Sequence, residues 1–243
     1  MNNGDFLIKA IFFDVDDTMY DHLYPFQRAI ANEVLHLEHF PFEAAYHRMR
    51  YYSDKLSVQY GGAEAMAKQG IDRKMQAERF LYALADFNVH ISFEQAEKIQ
   101  QIYLATQFDI STFANMDKLL VQLKEKGYIV GLLTNGAEKH QRKKIKALQL
   151  ERYIDADKIF ISGAFGIDKP NPAIFHHISK QINISAEHCL YVGDSWRNDV
   201  IGATEAGWHM LWFNHRKQET PQSHIIVEQV NSIEQLIQFF NSY

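Results

Sequence analysis

The chain has 243 residues, 47% of them hydrophobic, enough to bury a sizeable core in one large domain or two moderate ones. Its formal charge of -5, from 25 basic and 30 acidic side chains, argues against the broad basic footprint of a protein that binds nucleic acid polymers or anionic membranes. The single cysteine, Cys189, excludes an internal disulfide or a cysteine-rich zinc site. No run approaches the roughly 20 apolar residues of a membrane span, and Asp5 and Lys9 flank a short apolar start unlike a signal peptide, so a cytoplasmic protein is expected.

Ile8 to Phe13 is apolar and rich in β-branched and aromatic residues, and acids follow it at once; it reads as a buried strand ending in a polar loop. From about Phe26 to Gln107 the period changes to a helical one, in Ile30, Val34 and Leu37 and again in Phe80, Leu81 and Leu84. Breaks at Pro41, Gly61 with Gly62, Gly70 and Asn88 to Ser92 divide this stretch into four or five expected helices and no strand. A helix over Asp117 to Lys126 follows, stopped by Gly127, and then a buried strand over Tyr128 to Thr134. Alternation continues with a helix at 138–148, a strand at Lys158 to Ile161, a helix at 172–181, a strand at Cys189 to Val192 and a helix at 198–206. A last strand, Met210 to Phe213, and a helix at 232–240 close the series. Strands alternating with helices of this length predict right-handed crossovers and a parallel sheet covered on both faces. The expected fold class is therefore α/β, a Rossmann-like parallel sheet with an inserted α-helical domain. The densest charge run, Lys139 to Lys146, reads as the solvated basic face of its helix.

In open parallel sheets ligands gather at the carboxyl ends of the strands, and here those ends are polar. Asp14, Val15, Asp16, Asp17 and Thr18 follow the first strand, Thr134, Asn135 and Gly136 end the second, and Gly193, Asp194 and Ser195 follow the fourth, with Asp199 shortly beyond. Any one acidic turn is ordinarily a solvated loop capping a helix. Carboxylates gathered from distant strands repel unless a cation sits among them, and hard oxygen ligands favour magnesium over zinc.

These stretches resemble the motifs of the haloacid dehalogenase-like hydrolases, in particular phosphatases with a helical cap inserted after the first motif. DVDDT at 14–18 is similar to the first motif, Thr134 with Asn135 to the second, Lys169 in DKPNP to the third and GDSWRND at 193–199 to the fourth; GATEAG at 202–207 is also typical. The resemblance covers residues 7–20 and 113–215, and implies a catalytic core over 1–20 and 110–243 and a cap over 21–109.

The resemblance implies that Asp14 attacks phosphorus and becomes a transient aspartyl phosphate. Asp16 then protonates the leaving oxygen and later activates water. Two carboxylates two positions apart past a strand can share a cavity in different environments, as a nucleophile and an acid require. By the same resemblance Thr134 and the backbone N–H of Asn135 hold phosphate oxygens and Lys169 neutralises charge. Asn171 and Pro172 suit an N-cap and first helical position, which aims the Lys169 loop. The resemblance further implies magnesium on Asp14, the Asp16 carbonyl and Asp194, with Asp199 binding through water or orienting the others; an acid stabilised in a helix's first turn is the equal alternative for Asp199. Gly193 is expected to allow a tight turn before Asp194, and Gly202 to let its helix approach the sheet. Asp17 stands where many members carry glycine, which bears on the turn leading into the cap. Asp16 matters more, because members that cleave carbon–halogen bonds generally lack an acid there, so the sequence resembles a phosphatase. A phosphomutase and a catalytically weak phosphate-binding or scaffold protein are the alternatives.

An insertion of roughly 90 residues is long enough to exclude water from a small substrate. The expected partner is a small phosphorylated metabolite, such as a nucleoside monophosphate or sugar phosphate, with no nucleic acid polymer and no membrane, and the assembly a monomer or homodimer. Within Tyr46 to Tyr60, the residues His47, Arg48, Arg50, Tyr51, Tyr52 and Lys55 suit stacking and anion contact, but the favoured reading is an amphipathic helix with its aromatics in the core and its basic residues in water. His22, just after the first motif, reads either as a substrate contact or as a marker of the hinge; His176 and His177 read as surface or packing residues, and Cys189 as a small buried hydrophobe.

Overall fold

The computed structural model describes residues 7–34, 38–61, 70, 72–221, 225 and 227–242. Asp5, Leu37 and Gly62, which carried part of the sequence reading, lie outside the described residues. The chain divides into two compact units, 1–21 with 111–243 and 22–110.

The first unit is built on a six-stranded parallel sheet of β1 (Ala10–Phe13), β2 (Ile129–Thr134), β3 (Ile159–Ile161), β4 (Cys189–Gly193), β5 (His209–Phe213) and β6 (Glu228–Val230), in the order β3-β2-β1-β4-β5-β6. β6 was not expected from the sequence. It has three residues, two of them exposed, and is held by its pairing with Leu211, Trp212 and Phe213, so its own side chains carry little apolar signal. All four residues of β1 are fully buried, as a central parallel strand covered on both faces requires. Successive side chains point to opposite faces. Ala10 and Phe12 join Phe160, Phe175, Tyr191 and Trp208 in one core layer, while the Phe13 ring meets Phe240 with centroids 6.1 Å apart.

The helices of this unit are α5 (Met116–Glu125), α6 (Glu138–Ala147), α7 (Pro172–Ile182), α8 (Ile201–Glu205) and α9 (Ile233–Ser242). Asn171 caps α7 as expected, accepting from the Ala173 N–H at 3.0 Å with Pro172 at the first helical position. The helix expected at 198–206 differs: one π-helical turn, Trp196–Val200, precedes the short α8, with the Ser195 hydroxyl accepting from Asn198 N–H at the start.

The second unit consists, among the described residues, of α1 (Leu23–Glu33), α2 (Phe42–Gln59), α3 (Asp72–Ala85) and α4 (Phe93–Thr106), with no strand. Phe26, Ile30, Tyr46, Met49, Phe80, Leu84, Ile99 and Tyr103 form its core, each at most 1% exposed. Ser92 opens α4 with a reciprocal cap, its hydroxyl accepting from Gln95 N–H while the Gln95 side chain accepts from Ser92 N–H. Among the described residues no helix is long and apolar enough to cross a membrane.

Candidate active site

Sheet order and register bring the polar strand ends together. From β1 the chain runs outward to β2 and β3, then returns to β4 on the other side of β1, so β1 and β4 flank the point where the order reverses, where open α/β sheets bind ligands. Phe13 is level with Val192 on one side and Leu132 on the other, and Asp14 N–H donates to Val192 O at 2.9 Å. Asp14, the Gly193–Asp194 segment and Thr134 therefore emerge at one edge.

Lys169 is the centre of the arrangement. Its ammonium group, 2% exposed as a side chain, lies 2.8 Å from Asp14 Oδ1 and 2.7 Å from Asp199 Oδ1, and donates to the Tyr191 hydroxyl at 2.7 Å. Tyr191 passes its own proton to Leu133 O at 2.7 Å, so this buried phenol is satisfied in both directions. Burial alone would lower the Lys169 pKa, but Asp14 and Asp199 outweigh it and push the ammonium up to about 12. Burial raises the Asp14 carboxyl from 3.8 to about 7; Lys169 opposes this, while Asp199 and Asp16 add to it.

Carboxylate oxygens of Asp14, Asp194 and Asp199 all lie within 4.8 Å of one another, and all three residues are buried. Three acids around one ammonium carry excess negative charge, and an all-oxygen donor set suits a hard divalent cation such as magnesium. The residues present fit such an ion. Asp199 is not an acid in the first turn of an ordinary helix. It sits fully buried in the π-helical turn, where Oδ1 holds Lys169 and Oδ2 accepts from Ser195 N–H at 2.9 Å. That position corrects the expected role of Gly193: its φ is not positive, and a Cβ there would run into the Asp199 carboxylate. Gly202 has no room for a Cβ either, because Pro170 and the Phe175 ring lie against it, so the close approach is to the Lys169 loop and α7.

Asn135 reaches Lys169 in a way the sequence reading missed. Its side-chain amide donates to Lys169 O and accepts from Lys169 N–H, both at 2.9 Å, clamping the backbone of the lysine, which is joined to Pro170 by a cis peptide bond. Thr134 is 1% exposed at the end of β2.

Asp16 carries the largest departure from expectation. Its Oδ1 accepts from Tyr20 hydroxyl at 2.6 Å, its Oδ2 from Gln141 at 3.1 Å, and Lys144 Nζ bridges the two oxygens at 2.8 and 2.9 Å. Lys144 is 2% exposed, so part of the run Lys139 to Lys146 turns inward instead of forming a uniformly solvated face. The signal was present in the spacing: Gln141, Lys144, Ile145 and Leu148 fall at i, i+3, i+4 and i+7, the buried stripe of a helix, with two polar residues occupying it.

Asp17 adopts φ 61°, a left-handed conformation that favours glycine, and is fully buried. Its carboxylate is gripped by Arg216, at 2.7 Å from Nη2 and 3.2 Å from Nε, and the same Nη2 meets Asp21. This fork offsets the backbone cost and ties the first-motif turn to the segment after β5. Arg216 had no sequence signal, because nothing in its neighbourhood marks its partner.

His22 lies in the helical unit with Tyr46 hydroxyl 3.1 Å from Nδ1 and Tyr103 hydroxyl 2.7 Å from Nε2. Arg48 pairs with Asp86 and its guanidinium lies over the Tyr51 and Tyr52 rings at 4.5 and 5.0 Å, so much of the aromatic and basic group on α2 is engaged with itself. His176 and His177 are exposed, and Cys189 is buried, with burial pushing its thiol up to about 11.

Residues 8–207 match the haloacid dehalogenase-like hydrolase family. The chain is 30% identical over 216 residues to a glyceraldehyde 3-phosphate phosphatase of Pyrococcus abyssi, covering 87% of this chain and 83% of that one. It is 25% identical over 240 residues to the N-acylneuraminate-9-phosphatase of Mus musculus, covering 95% and 94%. Among solved structures, a dehalogenase in an intermediate complex superposes with a TM-score of 0.72 at 20% identity, over 96% of each chain, which is a likeness of fold.

Proposed function

The chain belongs to the haloacid dehalogenase-like hydrolases, and we propose that within that family it is a magnesium-dependent phosphatase of small phosphorylated metabolites working through an aspartyl phosphate. The observation that carries this reading is the buried Asp14–Lys169–Asp199 chain at the ends of β1 and β4, with Asp194 beside it and Asp16 two residues on. Asp14 is the nucleophile. Lys169 stabilises the carboxylate before attack and the phosphoryl charge during it, in surroundings where a fixed cation acts strongly. Thr134 and Asn135 N–H bind phosphate oxygens, while the Asn135 side chain keeps Lys169 aimed. Asp16 gives a proton to the leaving oxygen and takes one from the attacking water. Magnesium would be held by Asp14, Asp194 and the Asp16 carbonyl, with Asp199 orienting or binding through water, and it would supply charge neutralisation at the phosphate.

Asp16 separates this reading from carbon–halogen cleavage, which has no leaving oxygen to protonate. The relatives named as glyceraldehyde 3-phosphate and N-acylneuraminate-9-phosphate phosphatases favour a sugar phosphate over a nucleoside monophosphate. The helical unit is a cap in this reading, restricting the protein to small substrates.

The test is phosphate release from p-nitrophenyl phosphate, followed by a screen of phosphorylated metabolites. Activity is expected to need magnesium, vanish with EDTA and be lost in Asp14→Asn. Turnover that survives that substitution would remove Asp14 as nucleophile.

A further inference from the structure

We propose that Arg79, on α3 of the helical unit, is the centre of a recognition site built from α2, α3 and α4 that takes the carboxylate of a small molecule. The binding stands on the helical unit by itself; its kinetic readout rests on the phosphatase reading above.

The guanidinium is held by neutral acceptors from three helices. Its Nε–H donates to Gln76 O at 3.2 Å, Nη1 to the Ser53 hydroxyl at 3.2 Å and Nη2 to Gln100 Oε1 at 2.7 Å. Two of those acceptors are themselves fixed. The Ser53 hydroxyl donates its proton to Met49 O at 2.9 Å, and Gln100 Nε2 donates to Gln76 Oε1 at 3.3 Å, so each turns an oxygen lone pair towards Arg79. The Phe80 and Tyr103 rings lie 5.2 and 5.4 Å from the guanidinium carbon. Three of the five N–H groups are thereby used, and one on each terminal nitrogen remains, the number a two-oxygen anion accepts.

What the site lacks is a counter-charge. Arg28, Arg48, Arg142 and Arg216 each pair with a carboxylate. Among the described residues none pairs with Arg79. Burial lowers its pKa, opposed by the phenols of Tyr103 and Tyr46, yet arginine stays protonated, so the charge persists away from water without a partner. A cation placed in this way is stabilised by an incoming anion. Arg79, Ser53 and Gln76 are only partly buried, which leaves a ligand a way in. The groups that touch the guanidinium are neutral, so one negative charge balances it. A carboxylate brings one charge and two oxygens, whereas a phosphate dianion brings an excess.

The experiment uses the full-length, magnesium-loaded protein with isotope-labelled arginine nitrogens. Sodium acetate, titrated against sodium chloride at matched ionic strength, is expected to move the Arg79 Nε–H resonance along a saturating curve while chloride leaves it in place. The resonance is assigned by its absence in Arg79→Lys. The source of the carboxylate follows from competitive inhibition of p-nitrophenyl phosphate hydrolysis by 3-phosphoglycerate and glyceraldehyde 3-phosphate, which differ at one carbon, carboxylate against aldehyde. If the substrate carries it, the wild type binds the acid more tightly by about 10- to 100-fold, and Arg79→Gln loses that preference. If a separate acid carries it, the preference is absent and acetate itself alters wild-type turnover of p-nitrophenyl phosphate, an effect lost in Arg79→Gln. Where Arg79→Gln does not fold, Arg79→Lys, which keeps the charge but not the two-nitrogen fork, takes the same test. An Arg79 resonance that acetate leaves unmoved overturns the inference. A moved resonance with no response in either kinetic arm also overturns it, making Arg79 a tie between helices and acetate an adventitious additive only. Turnover that persists in Asp14→Asn would instead overturn the proposed nucleophile without touching the acetate titration, so the two failures are distinct.

Discussion

In the α/β unit, Asp14, Lys169 and Asp199 are no more than 6% exposed and join in one chain of short bonds, with Lys144 buried against Asp16 nearby. Two ion pairs of the helical unit are arranged in the opposite way. Its Arg28–Asp109 pair has side chains 41% and 75% exposed, and its Arg48–Asp86 pair 39% and 32%. Water screens the second set, and each pair contributes little to stability. The first set lies where unpaired charge is costly and a fixed cation acts strongly on whatever sits beside it. The helical unit is held by aromatic packing such as Phe26 on Phe80, 6.1 Å between centroids, while the α/β unit spends part of its core on groups that apolar residues would replace at lower cost. That difference supports placing the proposed chemistry in the α/β unit.

The contrast can be broken at its strongest point. Lys169→Met leaves two buried carboxylates facing each other; it is expected to lower kcat/KM at least about 1,000-fold and stability by about 3–5 kcal/mol, read by metabolite hydrolysis and urea unfolding. Near-native stability would mean that the acids are not coupled through Lys169. Asp16→Asn is expected to lower kcat/KM on an alkyl phosphate by about 100- to 10,000-fold, with a smaller loss on p-nitrophenyl phosphate, as measured by steady-state kinetics.

The metal-free protein gives a pH test of the same burial. The folded Asp14 carboxyl titrates near 7 instead of 3.8, raised chiefly by burial, so its contribution to stability is full below pH 4 and is lost as pH rises through about 7. Lys169, raised to about 12, stays charged throughout that window. Thermal unfolding in EDTA is therefore expected to show a falling Tm from pH 5 to pH 8, with magnesium restoring it at pH 8. A flat profile would mean that Asp14 is not held as described. The smallest effect is predicted in the helical unit, where Arg48→Ala changes stability by no more than about 1 kcal/mol in urea unfolding.

Much of this was legible in the sequence because strand ends announce themselves. Ile8 to Phe13 followed by DVDDT, and Cys189 to Val192 followed by GDSWRND, carry both the fold class and the placement of Asp14 and Asp194 at one edge. Position in a strand is a local property. The partners of those residues are not local: Lys144 lies 128 residues from Asp16 and Arg216 lies 199 from Asp17. Hydrophobic periodicity assigns a lysine to solvent by its type, and only its place on the Gln141–Leu148 stripe hints otherwise. The π-helical turn at Trp196–Val200 was likewise hidden, since it forms where the Ser195 backbone and Asp199 carboxylate bond each other, a geometry that a 3.6-residue period does not encode. The three-residue β6 is fixed by the neighbour it pairs with, not by its own residues.

The most direct test of Asp14 as nucleophile is acid quench of the magnesium-loaded protein during turnover, followed by peptide mass measurement. One phosphoryl group is predicted on the peptide containing Asp14, removed by hydroxylamine and absent in Asp14→Asn. A phosphoryl group on another residue, or turnover in Asp14→Asn with no phosphorylated peptide, would contradict the account.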